Sequence, residues 1–306
     1  MAMRARSQYD QAALDGAARL LRANPDMATV WNFRRQVLEH MYATRECDGG
    51  VSDARKPACE GEFSLTQECL AVNPKSYPVW FHREWILVWG QCSYQWKTEL
   101  KLTAKLLALD DRNFHCWTYR RAVVKLAGVA PAAELEFTTT KIEQNFSNYS
   151  AWHYRTKLFH AIYGVSNGMT SALSPDCRAR LLEELQLVRN AFFTAPEDSS
   201  AWFYHRWLLA QLGALDSTSE HSRPPSEQYV AVLKDELAMV EELIDLEPES
   251  KWPLISAVHI GRILSENDPA LTGRTSGWLS TLLQVDPTRA MYYRHLLGDQ
   301  ATTISS

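Results

Sequence analysis

Apolar positions recur three and four residues apart along most of the chain, and the runs that carry them are interrupted at intervals by clusters of Asn, Asp, Pro and Ser. A period of three to four is helical, so the pattern predicts helices and no strand. Five interruptions share one form: ANPDMATVWNFRR, VNPKSYPVWFHRE, LDDRNFHCWTYRR, QNFSNYSAWHYRT and TAPEDSSAWFYHRW align on Trp31, Trp80, Trp117, Trp152 and Trp202, which lie 49, 37, 35 and 50 positions apart. Such spacing suits helix-pair repeats joined by loops of unequal length. Partner helices fall between them, as in YQWKTELKLTAKLLALD before Trp117 and SPDCRARLLEELQLVRNAFFTA before Trp202, where Ser174 is placed to cap and Pro175 to begin the helix. Degenerate pairs occupy 227–298: one carries Trp252 in its second helix, and the last is read from GRTSGWLSTLLQVDPTRAMYYRHLL. The expectation is an all-α fold, an α-α superhelix of about seven hairpins and about fourteen helices. A solenoid has one continuous core, so 1–306 is taken as a single repeat domain.

Four stretches rich in Gly, Pro, Ser and Asp are expected as loops: 45–61, 164–174, 213–226 and 265–273. Ahead of the tryptophan helices, Asn24-Pro25, Asn73-Pro74, Asp110-Asp111 and Asn145 supply turn and capping chemistry. Each tryptophan is expected in the core. Arg34, Arg83, Arg120 and Arg155 follow the first four tryptophans by three positions and so share their face. Two readings stay open for these arginines: hydrogen bonds to carbonyls of a neighbouring repeat, or an outward role toward a partner or anion. The fifth repeat slips, with His205 at the expected place and Arg206 after it. His153, His160 and His205 fall in apolar patterns and are expected to be packed.

Composition narrows the function. A net charge of −4 gives no basic footprint for nucleic acid, and no apolar run is long enough for a membrane anchor. The six cysteines form no C-x-x-C pair, which fits reduced thiols in a cytoplasmic protein. Phosphate-loop, dinucleotide, zinc-protease and nucleophile-elbow motifs do not occur, so the chain does not read as a self-sufficient enzyme. One edge does offer chemistry. Five positions before the tryptophans stand Asp26, Lys75, Arg112, Ser147 and Glu197, and three before stand Ala28, Tyr77, Phe114, Tyr149 and Ser199. Lys75, Tyr77 and nearby His115 together form a candidate anion site of ammonium, phenol and imidazole donors.

The segments NPKSYPVWFHREWIL, DDRNFHCWTYRRAVV, NFSNYSAWHYRTKLF and SSAWFYHRWLL resemble the repeats of protein prenyltransferase α subunits, and within that family most resemble the Rab geranylgeranyltransferase α subunits. The likeness runs from about residue 17 to residue 297. It implies a helical scaffold around a separate β subunit that holds a catalytic zinc. The implied reaction moves a geranylgeranyl group from geranylgeranyl diphosphate to C-terminal cysteines of Rab GTPases presented by a Rab escort protein. The chain itself is then expected to bind no metal or cofactor and to be inactive alone. By motif, the family's diphosphate-facing lysine and tyrosine fall on Lys75 and Tyr77, with His115 beside them. The sequence departs from the family where 45–63 replaces an acidic helix, where the first repeat begins without a Lys-rich helix before it, and where nothing after residue 298 suggests an appended domain. Two alternatives remain: the α subunit of farnesyltransferase or type I geranylgeranyltransferase, acting on C-a-a-X termini, and a noncatalytic tetratricopeptide-like scaffold, whose period is normally a constant 34 residues.

Overall fold

A computed structural model describes residues 9–43, 50–164, 175–216, 225–265 and 268–303. Its helices pair as antiparallel hairpins, and no strand occurs among the described residues. The chain forms two compact units, Met1–Ala130 and Pro131–Ser306. The first contains α1 (Gln11–Ala23) with α2 (Ala28–Met41), α3 (Gly50–Val72) with α4 (Tyr77–Trp89), and α5 (Trp96–Leu109) with α6 (Phe114–Ala127). In the second, α7 (Pro131–Gln144) pairs with α8 (Tyr149–Tyr163), α9 (Pro175–Thr194) with α10 (Ser199–Asp216), α11 (Glu227–Leu246) with α12 (Lys251–Ser265), and α13 (Ala270–Val285) with α14 (Ala290–Thr303). The expected fourteen helices are thus present among the described residues, and the helix-pair period is correct.

Each of the five aligned tryptophans is buried, and each satisfies its indole N–H in the same way. Trp31, Trp80, Trp117, Trp152 and Trp202 donate to the carbonyls of Pro25, Pro74, Asp111, Phe146 and Pro196 at 2.8–2.9 Å. The ring therefore ties its own helix to the turn that precedes it, and a buried donor meets the partner it needs.

The arginine question resolves toward the interior. Arg34 forks onto Glu62 at 2.7 and 2.6 Å, and Arg83 onto Glu99 at 2.7 Å through both arms. Arg155 grips Glu184 in the same two-armed way. Their remaining nitrogens donate to carbonyls of Leu14, Phe63 and Leu135, and Arg120 reaches the Leu100 carbonyl at 3.2 Å. A residue two places after the tryptophan completes the carboxylate: His82 on Glu62, Tyr119 on Glu99 and Tyr204 on Glu184, at 2.7–2.9 Å. Each glutamate thus joins its own hairpin to the one before. Burial alone would raise the Glu62 carboxyl, but hydrogen bonds from His82 and Arg34 hold it below its ordinary value. Taking out one member of such a group typically costs about 3–5 kcal/mol, because a charge is left buried and unpaired.

Glu62, Glu99, Glu134 and Glu184 each stand eighteen positions ahead of a tryptophan. That constant offset is a sequence signal for the partners, which the reading of the arginines alone missed. In the fifth repeat the helix is not displaced. His205 takes the arginine's place and meets Glu236 at 3.0 Å, while Arg189 from α9 supplies the guanidinium at 2.7 Å.

Three loop expectations need correction. Residues 50–61 belong to α3 even though Pro57 lies within it. Tertiary contacts there outweigh composition: Arg55 donates to the Trp89 carbonyl at 2.6 Å and lies over that indole, closing the end of α4. Cys59 is buried against Gly90, where any Cβ would strike its sulfur. Residues 213–216 extend α10, and 270–273 open α13. The expected loop residues 165–174 and 217–224, like Ser174 and Cys47, lie outside the described residues. Pro175 does begin α9. The other five cysteines are buried free thiols.

Candidate functional site

The second and third hairpins bring Lys75, Tyr77 and His115 to one edge of the first unit. Lys75 sits in the turn between α3 and α4, whose backbone is pinned from several sides. Asn73 Oδ1 accepts the Lys75 N–H at 3.0 Å, as expected of an Asx turn. Buried Ser76 donates its hydroxyl to the Pro25 carbonyl in the preceding repeat at 3.2 Å. The Pro74 carbonyl takes both the Trp80 indole and the Asn113 amide of the following repeat, at 2.8 and 3.0 Å. With the main chain so fixed, the Lys75 side chain points outward, 67% exposed, and its ammonium lies 3.2 Å from an Asp110 carboxylate oxygen.

Tyr77 is the first residue of α4, followed at once by Pro78, whose missing N–H costs nothing in the first turn. Its ring is 63% exposed, stacked near Phe81, with its centroid 6.0 Å from that of His115. His115 is the second residue of α6 and donates its backbone N–H to the Asn113 side chain, the cap of that helix, at 3.1 Å. The imidazole is half-buried, and burial lowers its pKa, so near neutral pH it stands uncharged with one N–H to donate. Tyr77 and His115 thus meet directly, while Lys75 is engaged by Asp110 on the same edge. An incoming oxyanion would have to displace or share that exposed ion pair, which holds Lys75 weakly.

On this edge an ammonium, a phenol and an imidazole are each chemically able to donate to phosphate oxygens. Among the described residues no group of three or more His, Cys, Asp or Glu side chains is placed to hold a metal ion. The expected packed histidines divide. His205 is buried on Glu236, whereas His153 is exposed and stacks on Tyr149.

The model of the protein prenyltransferase alpha subunit repeat matches residues 10–41, 59–89, 96–127, 131–162 and 181–212. The chain belongs to the protein prenyltransferase α subunit family. Each matched segment spans one hairpin or most of one, and together they include the Lys75, Tyr77 and His115 edge. A relative from Dictyostelium discoideum, named geranylgeranyl transferase type-2 subunit alpha, is 36% identical over 294 residues, covering 94% of this chain and 85% of that protein. One of the same name from Rattus norvegicus is 45% identical over 204 residues. This chain spans only 35% of the rat protein's length. Among solved structures, a chain of Candida albicans protein geranylgeranyltransferase-I complexed with GGPP superposes with a TM-score of 0.68 at 18% identity, covering 97% of this chain and 87% of that one. At that identity the likeness speaks for the shared all-α fold. No described helix is long and apolar enough to cross a membrane.

Proposed function

We propose that this chain is the α subunit of a Rab geranylgeranyltransferase, cytoplasmic, inactive alone, and active as a heterodimer with a β subunit on Rab GTPases delivered by an escort protein. The observation that carries the reading is the pinned Asn73-Pro74-Lys75-Ser76-Tyr77 turn, which exposes Lys75 and Tyr77 beside His115 in a chain whose relatives bear the type-2 name. The proposed reaction joins a protein cysteine sulfur to the allylic carbon of geranylgeranyl diphosphate and releases the diphosphate. A zinc ion held by the β subunit would supply the lowered thiol pKa that makes the sulfur nucleophilic.

This chain's own part lies at the leaving group. As the allylic C–O bond breaks, negative charge builds on the departing oxygen, and Lys75 meets it with a full positive charge. Tyr77 and neutral His115 donate hydrogen bonds to the same oxyanion, His115 without adding charge of its own. Groups that act most strongly on the developing charge raise the chemical rate more than they tighten ground-state binding. The remainder of the chain serves as one continuous repeat domain on which the β subunit assembles.

Lys75→Ala in the purified heterodimer is expected to lower the single-turnover rate at saturating geranylgeranyl diphosphate about 100-fold, the usual scale for one lost oxyanion donor, with a much smaller change in diphosphate affinity. A full single-turnover rate in that variant would overturn the role. The type I alternative is separated by substrate: modification of a C-a-a-X peptide in the absence of any escort protein would displace the Rab reading.

A further inference from the structure

The slipped fifth repeat leaves one charge without an interior task. His205 and Arg189 together satisfy Glu236, so Arg206, next along α10, turns to the surface. Among the described residues its guanidinium has no hydrogen-bond or ion-pair partner, and the same is true of Arg262 on α12. Both line a cleft of about 380 Å³ in the second unit, together with His259. The lining also includes the apolar side chains of Ile255 and Val258 on α12, Leu282 on α13 and Leu296 on α14, with exposed Tyr292.

Among the described residues no acidic side chain lines the cleft. The Asp286 carboxylate accepts from Tyr293, a residue of the lining, at 2.7 Å, and from Thr288 and Arg289. The described lining therefore carries two guanidiniums and no carboxylate. His259 registers this: burial first, then the charges of Arg206, His205 and Arg262, push its pKa down to about 4. Two guanidiniums and a set of aliphatic side chains within one cleft match a ligand that carries a carboxylate beside an apolar group.

We propose that the cleft bounded by Arg206, His259 and Arg262 is a docking site for an acidic, leucine-bearing segment of a partner protein. Carboxylates of that segment fork onto the two guanidiniums, and its apolar side chain lies against Ile255, Leu282 and Leu296. A free inorganic anion would meet the arginines but leave the apolar side chains wet, which is why a peptide fits better. This site lies in the other unit from Lys75 and stands independently of the function proposed above.

The test uses the full chain and a blocked peptide of alternating glutamate and leucine, with its glutamine analogue and inorganic phosphate as separate arms. The glutamate peptide should bind, and Arg206→Gln and Arg262→Gln should each weaken it about tenfold or more, as expected for a lost charged hydrogen-bonding partner. Lys234→Gln, an exposed change on α11, should leave binding alone. The His259 ring signal in proton NMR should titrate at higher pH when the peptide is bound, because its carboxylates offset the two arginines. Circular dichroism should show all variants folded, since Arg206 is exposed. No binding of the glutamate peptide, equal binding of the glutamine analogue, or displacement by phosphate at the peptide's own affinity would each overturn the proposal.

Discussion

The same repeat places positive charge in two very different settings. Inside, Arg34, Arg83 and Arg155 are buried, each donating to a glutamate and a carbonyl, while a neighbouring tyrosine or histidine completes the glutamate. At the loop edge Lys75 is largely exposed and pairs with Asp110 alone among the described residues. The interior groups lock one hairpin to the next and cannot be spared for chemistry. The edge is free to meet something else because the main chain beneath it is secured by other residues. Buried and exposed charge are thus divided between positions only a few residues apart, as Lys75 and Arg83 show.

Mutations should separate the two settings by size of effect. Glu99→Ala should be the most damaging, leaving Arg83 buried and Tyr119 without its acceptor, at a cost of about 3–5 kcal/mol by chemical denaturation. A loss below 1 kcal/mol there would mean that the buried ladder is not what holds the hairpins together. Trp202→Phe keeps an aromatic ring near Phe192 but strands the Pro196 carbonyl, so about 1–3 kcal/mol should be lost.

The interior should also respond to acid. Burial holds the His82 pKa below 6.5, partly opposed by Glu62, so the unfolded chain takes up a proton in a range where the folded chain does not. Stability is then level above that value and falls as pH drops below it. His259, brought down to about 4, acts in the same direction. His82→Gln should reduce the fall in thermal midpoint between about pH 7 and about pH 5, and an unchanged fall would remove His82 from the explanation. The smallest stability change belongs to the edge: Lys75→Ala breaks only an exposed pair and should cost less than about 1 kcal/mol. A larger loss would show that the edge is structural after all.

Much of this organisation is legible in the sequence, and the parts that are not have physical reasons. The tryptophan spacing reveals the hairpins because a repeated core residue leaves a repeated mark. The glutamates at a constant eighteen positions before the tryptophans leave a mark as well, but one visible only when the arginines are asked for partners on a different helix. Residues 50–61 look like a loop because Gly, Pro and Cys are weak helix formers. What keeps them helical is Arg55 on the end of α4 and Cys59 under Gly90, and neither contact is local. At the candidate site, sequence brings Lys75 and Tyr77 together trivially. The approach of His115 follows from hairpin stacking, whereas the Asp110 partner and the three-sided pinning of the turn require coordinates.

The buried ladder also bears on how the chain becomes ordered. Arg34 and Glu62 are 28 residues apart, Arg83 and Glu99 only 16, and Arg155 and Glu184 29. Every such link therefore closes within roughly one repeat length, and the loop-closure entropy of each is small and alike. A chain with contacts this local need not wait for its distant end. Within each unit, one hairpin can serve as the template for the next while synthesis continues, and the carboxylate that completes each joint arrives with the hairpin that needs it.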